Sequence, residues 1–187
     1  MATHDTKLGI GYATGMFYHA PAGTALPTYP GETLGGSWVK VGDVTADGIT
    51  LALDKSTESL KNWANVVKRV IMTDHNETIQ APIMDTTAEV LKTVLGSSNV
   101  TTTAANNSHG ALVNVSLSAG SLPSEEAFLF LMKDDDDMIA IGCQYGQVTA
   151  VDNVTFAPSG AIVWTPTITA CGSNGFVMIT DDGQVTS

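Results

Sequence analysis

The residues on which chemistry could be built are four histidines, two cysteines and one dense run of carboxylates. His4, His19, His75 and His109 do not pair with one another at metal-ligand spacing, and Cys143 and Cys171 lie far off in sequence. His75, beside Asp74 and near Glu77, has the neighbours of an acid–base group. Folded proteins carry many such neighbours by chance, and His75 reads as one of them. Asp134-Asp135-Asp136-Asp137 could offer several carboxylate oxygens to a hard cation such as Ca²⁺. The run lacks the alternating ligands, the glycine and the distal glutamate of an EF-hand loop. Adjacent side chains on extended backbone also point apart, so the plainer reading is a solvated hairpin tip that keeps a strand edge soluble. Gly9-Ile10-Gly11-Tyr12-Ala13-Thr14-Gly15 approaches a dinucleotide fingerprint, but its third glycine comes one residue late and no helix pattern follows. Asp181-Asp182-Gly183 reads as a turn. No serine nucleophile elbow, phosphate loop or zinc ribbon occurs, and five Asn-x-Ser/Thr sequons read as accidents of composition. The expectation is a chain that is not an enzyme and uses no cofactor or metal.

Composition narrows the classes further. The chain has 187 residues, enough to bury a core, with 43% hydrophobic and only 14% charged side chains. A surface this short of charge often has a partner to meet. Eight basic against nineteen acidic residues give a net charge of −11. That balance disfavours a nucleic-acid binder, which needs cations against phosphate. The polar start, Met1 to Asp5, has no apolar run behind it, so no export signal is expected, and no stretch has the length of a transmembrane helix. Cys143 and Cys171 stand in apolar, strand-like surroundings. They read as buried free thiols in a reducing compartment, with a disulfide between them as the alternative.

The elements that would position these groups are mostly strands. Phe17 opens an apolar strand that runs into the Pro/Gly-rich loop Ala20 to Ser37. Trp38 to Val44 turns at Asp47-Gly48 into Ile49-Thr50-Leu51-Ala52-Leu53, a hairpin pattern. Val66 to Asp85 is extended, either as one long strand or bent near Asp74-His75-Asn76. Alternation marks Ala111 to Leu117, Val148 to Phe156 (broken once at Asp152) and Ile162 to Ala170. Pro166 makes the last an edge strand or a bulged one. Ala127 to Met132 and Met138 to Tyr145 are continuously apolar, as in strands covered on both faces. Thr86 to Gly96 is one short helix, with Thr86 and Glu89 at capping-box spacing, a Val90/Leu91/Val94/Leu95 stripe and a terminal glycine. Met1 to Thr14 reads as a flexible arm ahead of a single domain, 15–187. Gly96 to Gly110 reads as loop. Asp54 to Asn65 is polar, with Leu60 and Trp63 as large apolar anchors.

The order of these elements resembles the major tail tube proteins of long-tailed, siphovirus-type bacteriophages. The likeness begins at the Phe17 strand and its Ala20-to-Pro27 loop and continues through Trp38 to Val44 and Asp47-Gly48-Ile49. It is strongest from Lys55 to Arg69, across Lys61-Asn62-Trp63 and Val66-Val67-Lys68-Arg69. The Glu77-Thr78-Ile79 strand, the Thr86 helix, the Leu129-to-Gly142 hairpin and the Val148 strand follow in the family's order, over about Gly15 to Ala170. The four-Asp tip departs from the family's shorter turn.

The resemblance implies a mainly β, sandwich- or barrel-like fold with one flanking helix at about 86–96. It implies stacked hexameric rings whose inner strands close into one barrel, a channel for genome ejection into the host. Partners would be further copies of the chain, a tape measure and a tail terminator, with no membrane, and DNA would pass without specific binding. Assembly would occur in the host bacterial cytoplasm and the product would reside in the virion tail. Asp54 to Asn65 would be the inter-ring loop, with Leu60, Lys61 and Trp63 contacting the next ring, and the N-terminal arm and the Asp181-to-Ser187 tail as secondary contacts. An acidic lumen would repel phosphates and let the duplex slide. The alternatives are a tube protein of a contractile tail or secretion machine, and a surface β-sandwich binding module using the Asp134-to-Asp137 tip for Ca²⁺.

Overall fold

The computed structural model describes residues 9–11, 16–117, 122–134 and 136–181. As expected, the protein is mainly β with one α-helix. The strands are β1 (Phe17–Pro21), β2 (Val39–Gly42), β3 (Thr50–Lys61), β4 (Val67–Gln80), β5 (Val100–Thr103), β6 (Leu112–Val115), β7 (Glu126–Asp134), β8 (Asp137–Val151), β9 (Pro166–Ala170) and β10 (Val177–Asp181). Helix α1 (Ala88–Leu95) follows β4. The main sheet runs β2-β1-β7-β8-β9-β4-β3, and β10 adds to the first half of β8 while β9 takes the second half.

The sheet curls until its ends meet. Ile83, just past β4, bridges both Val44, just past β2, and Trp164, just before β9. Four main-chain bonds make this seam: Thr45 N to Pro82 O at 2.8 Å, Met84 N to Asp43 O at 3.0 Å, and Ile83 and Trp164 exchanging bonds at 2.7 and 2.8 Å. Closure of this kind satisfies edges that would otherwise be open. The enclosed core holds Phe17, Phe128, Phe130, Ile79, Ile83, Ile168 and Trp164, with Val90, Leu91 and Val94 of α1 docked on it. Leu129, Leu131 and Ala140 point to the other side, where Leu26, Leu34 and Trp38 cover them. The Pro/Gly loop is therefore the lid over the second face of β7, which explains that strand's unbroken apolar sequence.

Several expected boundaries change. β2 and β3 do not form a hairpin across Asp47-Gly48. A turn is present, with Gly48 N bonded to Thr45 O at 3.0 Å and φ of +72°, but β2 pairs with β1 and β3 pairs with β4. The helix cap is Thr87, whose hydroxyl accepts from Val90 N at 3.3 Å. Thr86 is occupied elsewhere, accepting from the Trp164 indole at 3.1 Å. Part of the Gly96-to-Gly110 loop is strand, since β5 pairs with β6. The two apolar segments after Asp137 form one strand, β8, which ends at Val151 just before the parity break. Residues 152–156 leave the ladder. β9 is central rather than an edge, because Pro166 occupies its first position, where a missing donor is tolerated. Both cysteines are free, Cys143 buried and Cys171 only half-buried. Burial pushes the Cys143 thiol up to about 12, so it stays protonated.

Candidate assembly surface

β3 and β4 are far longer than the sheet that anchors them. Their ladder runs from Thr50↔Gln80 out to Lys61↔Val67. β9 holds β4 only through Thr78, Ile79 and Gln80. Beyond that point the hairpin extends about 30 Å, at 3.4 Å per residue. Among the described residues, no strand pairs with its outer edges there. A two-stranded ribbon is marginal alone in water, and open edges are sites for further strand pairing.

Residues directly opposite in a ladder share a face. One face continues the core side of the sheet, carrying Leu51 opposite the buried Ile79, Leu53 opposite Glu77 and Lys55 opposite His75, then Met72, Val70 and Val67 opposite Thr57, Ser59 and Lys61. Leu53, Val70 and Met72 are each 58% exposed. The opposite face carries Thr78 and Gln80 near the sheet, then Asp54, Ser56, Glu58, Asp74 and Asn76, with Ile71, Leu60 and Arg69 toward the tip. Thr167 and Thr169 of β9 extend this polar face. Toward the tip, one face thus presents a patch of exposed apolar side chains, Met72, Val70 and Val67, while the other is acidic along its middle and carries Leu60, Ile71 and Arg69 at its end.

At the tip, Asn62 N donates to Val66 O at 3.0 Å and Asn65 N donates to Asn62 O at 2.9 Å. The Asn62 side-chain oxygen accepts from Val66 N at 2.9 Å. Asn65 takes the left-handed conformation, φ +61°, which asparagine tolerates. This turn projects Trp63 entirely into solvent, at 105% relative exposure. At the base, Glu77 accepts from Phe176 N at 2.7 Å and lies 3.2 Å from the His75 ring. A side chain at Gly175, whose φ is +58°, would collide with that carboxylate. Glu77 so fixes the hairpin to the segment before β10. Glu77→Ala is expected to lower stability by about 1.5–3 kcal/mol, the worth of a charged acceptor for a backbone N–H, as a urea midpoint would report.

The site residues expected from sequence fall as follows. Leu60 and Lys61 end β3 and Trp63 sits in the turn, so the Asp54-to-Asn65 segment is strand followed by a tight turn rather than loop. Val66 to Asp85 resolves into the single strand β4 plus the closing segment. Asp134 and Asp137 face each other across the β7–β8 tip and Asp136 turns between them; Asp135 lies outside the described residues. No group of three or more His, Cys, Asp or Glu able to hold a metal ion occurs among the described residues. His75 meets only Glu77 of its two acidic neighbours at bonding distance. Of the N-terminal arm, residues 1–8 and 12–14 lie outside the described residues, while Gly11 bridges Met132 beside β7. Of the Asp181-to-Ser187 tail, Asp181 ends β10 opposite Met138, and residues 182–187, with the rest of the expected Asp181-Asp182-Gly183 turn, lie outside the described residues. Sequence reasoning missed the exposed apolar face. Its alternation on β4 is interrupted at Lys68 and Thr73, which stand unopposed at two register shifts.

A family model described as phage tail tube protein matches residues 1–180. The chain belongs to that family. The tail tube chain therefore has a structural role in a virion tail. No curated protein matches it. Among solved structures, the cap that terminates the tube of an anti-feeding prophage, determined by cryo-electron microscopy, aligns with 97% of the tail tube chain and 100% of its own length, at 11% identity and TM-score 0.46. No helix among the described residues of the tail tube chain is long and apolar enough to cross a membrane.

Proposed function

We propose that this chain is the repeating subunit of the tube, a single domain of residues 15–187 preceded by an arm, whose copies close into hexameric rings and stack. The observation that carries this reading is the β3–β4 hairpin, with two open backbone edges and one uncovered apolar face. Edge-to-edge addition of hairpins from neighbouring copies would satisfy both edges at once, and a heterologous contact whose rotation closes gives a ring. The apolar face then packs outward on the neighbouring subunits. The face bearing Asp54, Glu58 and Asp74 turns to the channel, where carboxylates repel a passing duplex. The genome leaves for the host through this channel, and a tape measure and a tail terminator meet the tube at its lumen and its end. Assembly takes place in the cytoplasm of the bacterial host.

Concentrated protein is expected to form rings or tubes by negative-stain electron microscopy. Trp63→Ala is expected to give a folded subunit with impaired polymerisation, scored by circular dichroism and pelleting. A variant that polymerises like the parent would remove Trp63, and with it Leu60 and Lys61, from the ring-to-ring contact.

A further inference from the structure

The hairpin tip is the one strongly basic region of an acidic chain. Lys61, Lys68 and Arg69 lie around Trp63, and no acidic residue falls between Glu58 and Asp74. Four of the eight basic residues of the chain, these three and Lys55, are on the β3–β4 hairpin against four acidic ones, so the net charge of −11 sits wholly on the rest of the molecule. At the other end of the strand order, a cleft of about 490 Å³ opens beside β1 and β2. Ala20, Pro21 and Val39 give it an apolar wall, and Ser37, Glu125 and Glu126 give it polar groups. Glu126 holds the His19 ring at 2.8 Å, and Glu89, shared with Lys92, lies 3.6 Å from the ring's other nitrogen. Glu125 is exposed.

We infer that the basic tip docks, Trp63 foremost, into this acidic cleft on a second copy of the chain. The inference rests on the self-assembly reading above and names the surface that receives the tip. A cleft of this size suits one large aromatic side chain, and tryptophan and arginine dominate the energetics of most interfaces. Ser37 or Glu125 offers an acceptor for the indole N–H, which needs one once buried. Lys61, Lys68 and Arg69 meet the carboxylates at the rim, which fixes the partner's orientation and speeds encounter. The tip and the cleft are different surfaces of the chain, so the contact joins two copies head to tail.

The test is a charge exchange in the full-length chain. Lys61→Glu/Lys68→Glu/Arg69→Glu at the tip and Ser37→Arg/Glu125→Arg at the cleft should each raise the critical concentration for assembly at least tenfold. Combining all five changes in one chain should restore most of it. Val39→Lys, at an exposed position, provides a second cleft variant, and thermal melts confirm that each variant folds. In a Trp38→Phe background, which removes the half-buried tryptophan beside the cleft, Trp63 emission should shift to the blue on assembly of the otherwise parental chain and fail to shift in the cleft variants; Trp164 is buried and serves as the invariant background. If the parent forms tubes but both cleft variants assemble at its concentration, or the combined chain is no better than either half, the docking is wrong while the tube reading stands. If the parent forms no polymer at any concentration, both fall.

Discussion

Val70→Asp/Met72→Asp is expected to leave a folded subunit that no longer assembles. Both side chains are 58% exposed on the apolar face of the β3–β4 hairpin, and neither belongs to the core. The free subunit therefore loses little, and its melting temperature should stay within a degree or two. In the proposed ring the same face is covered. Burying a valine or methionine contributes about 1.5–3 kcal/mol each, and a carboxylate buried unpaired in its place adds a penalty of several kcal/mol. Together these should raise the critical concentration by well over about a hundredfold, since each 1.4 kcal/mol is tenfold. Sedimentation velocity against concentration measures it directly. Asn76→Asp, on the opposite face, serves as the control and should assemble. Tubes formed by the double variant at parental concentration would show that this face is not the one buried.

Phe130→Ala is expected to be the most damaging single core change. Phe130 is fully buried and its ring stacks on Phe17 at 4.5 Å with planes 10° apart. Phe17 also meets Phe128 at 6.0 Å. Phe17 and Phe130 are opposite each other in the β1–β7 ladder, so the stack fastens the two strands as well as filling the core. Removing a buried phenyl group costs about 3–5 kcal/mol, a large part of the roughly 5–15 kcal/mol that holds a typical domain. A fall in melting temperature of roughly 6–20 °C follows for a chain of this size. A urea-derived loss below about 1 kcal/mol would show that the cavity collapses and that the cluster is not central. Assembly of this variant should track its folded fraction, in contrast to the hairpin variant.

Local chemistry made much of the fold legible. Alternation and continuous apolar runs identified β7, the start of β8 and the β6 region, and the helix was marked by its apolar stripe and Gly96, with the cap one residue later than Thr86. These signals are read within a few residues of one another, because propensity, capping and side-chain period are local properties. The acidic excess and the absence of a nucleophile pattern likewise needed no coordinates. What failed did so where a partner strand decides. Asp54 to Lys61 is polar, so it reads as loop, yet β4 supplies it with main-chain partners along its whole length. Its polarity reflects exposure on both faces, not lack of structure. Val67, Val70 and Met72 fall off any simple period because Lys68 and Thr73 bulge from the ladder, and only the register puts them on one face with Leu53. The closing bridges of Ile83 to Val44 and Trp164 join segments far apart in sequence. Sequence by itself thus determined that this is an acidic β protein with a family's order of elements. Tertiary structure alone decided which edges stay open and which apolar residues stay uncovered, since both depend on pairings between distant residues that no local pattern encodes.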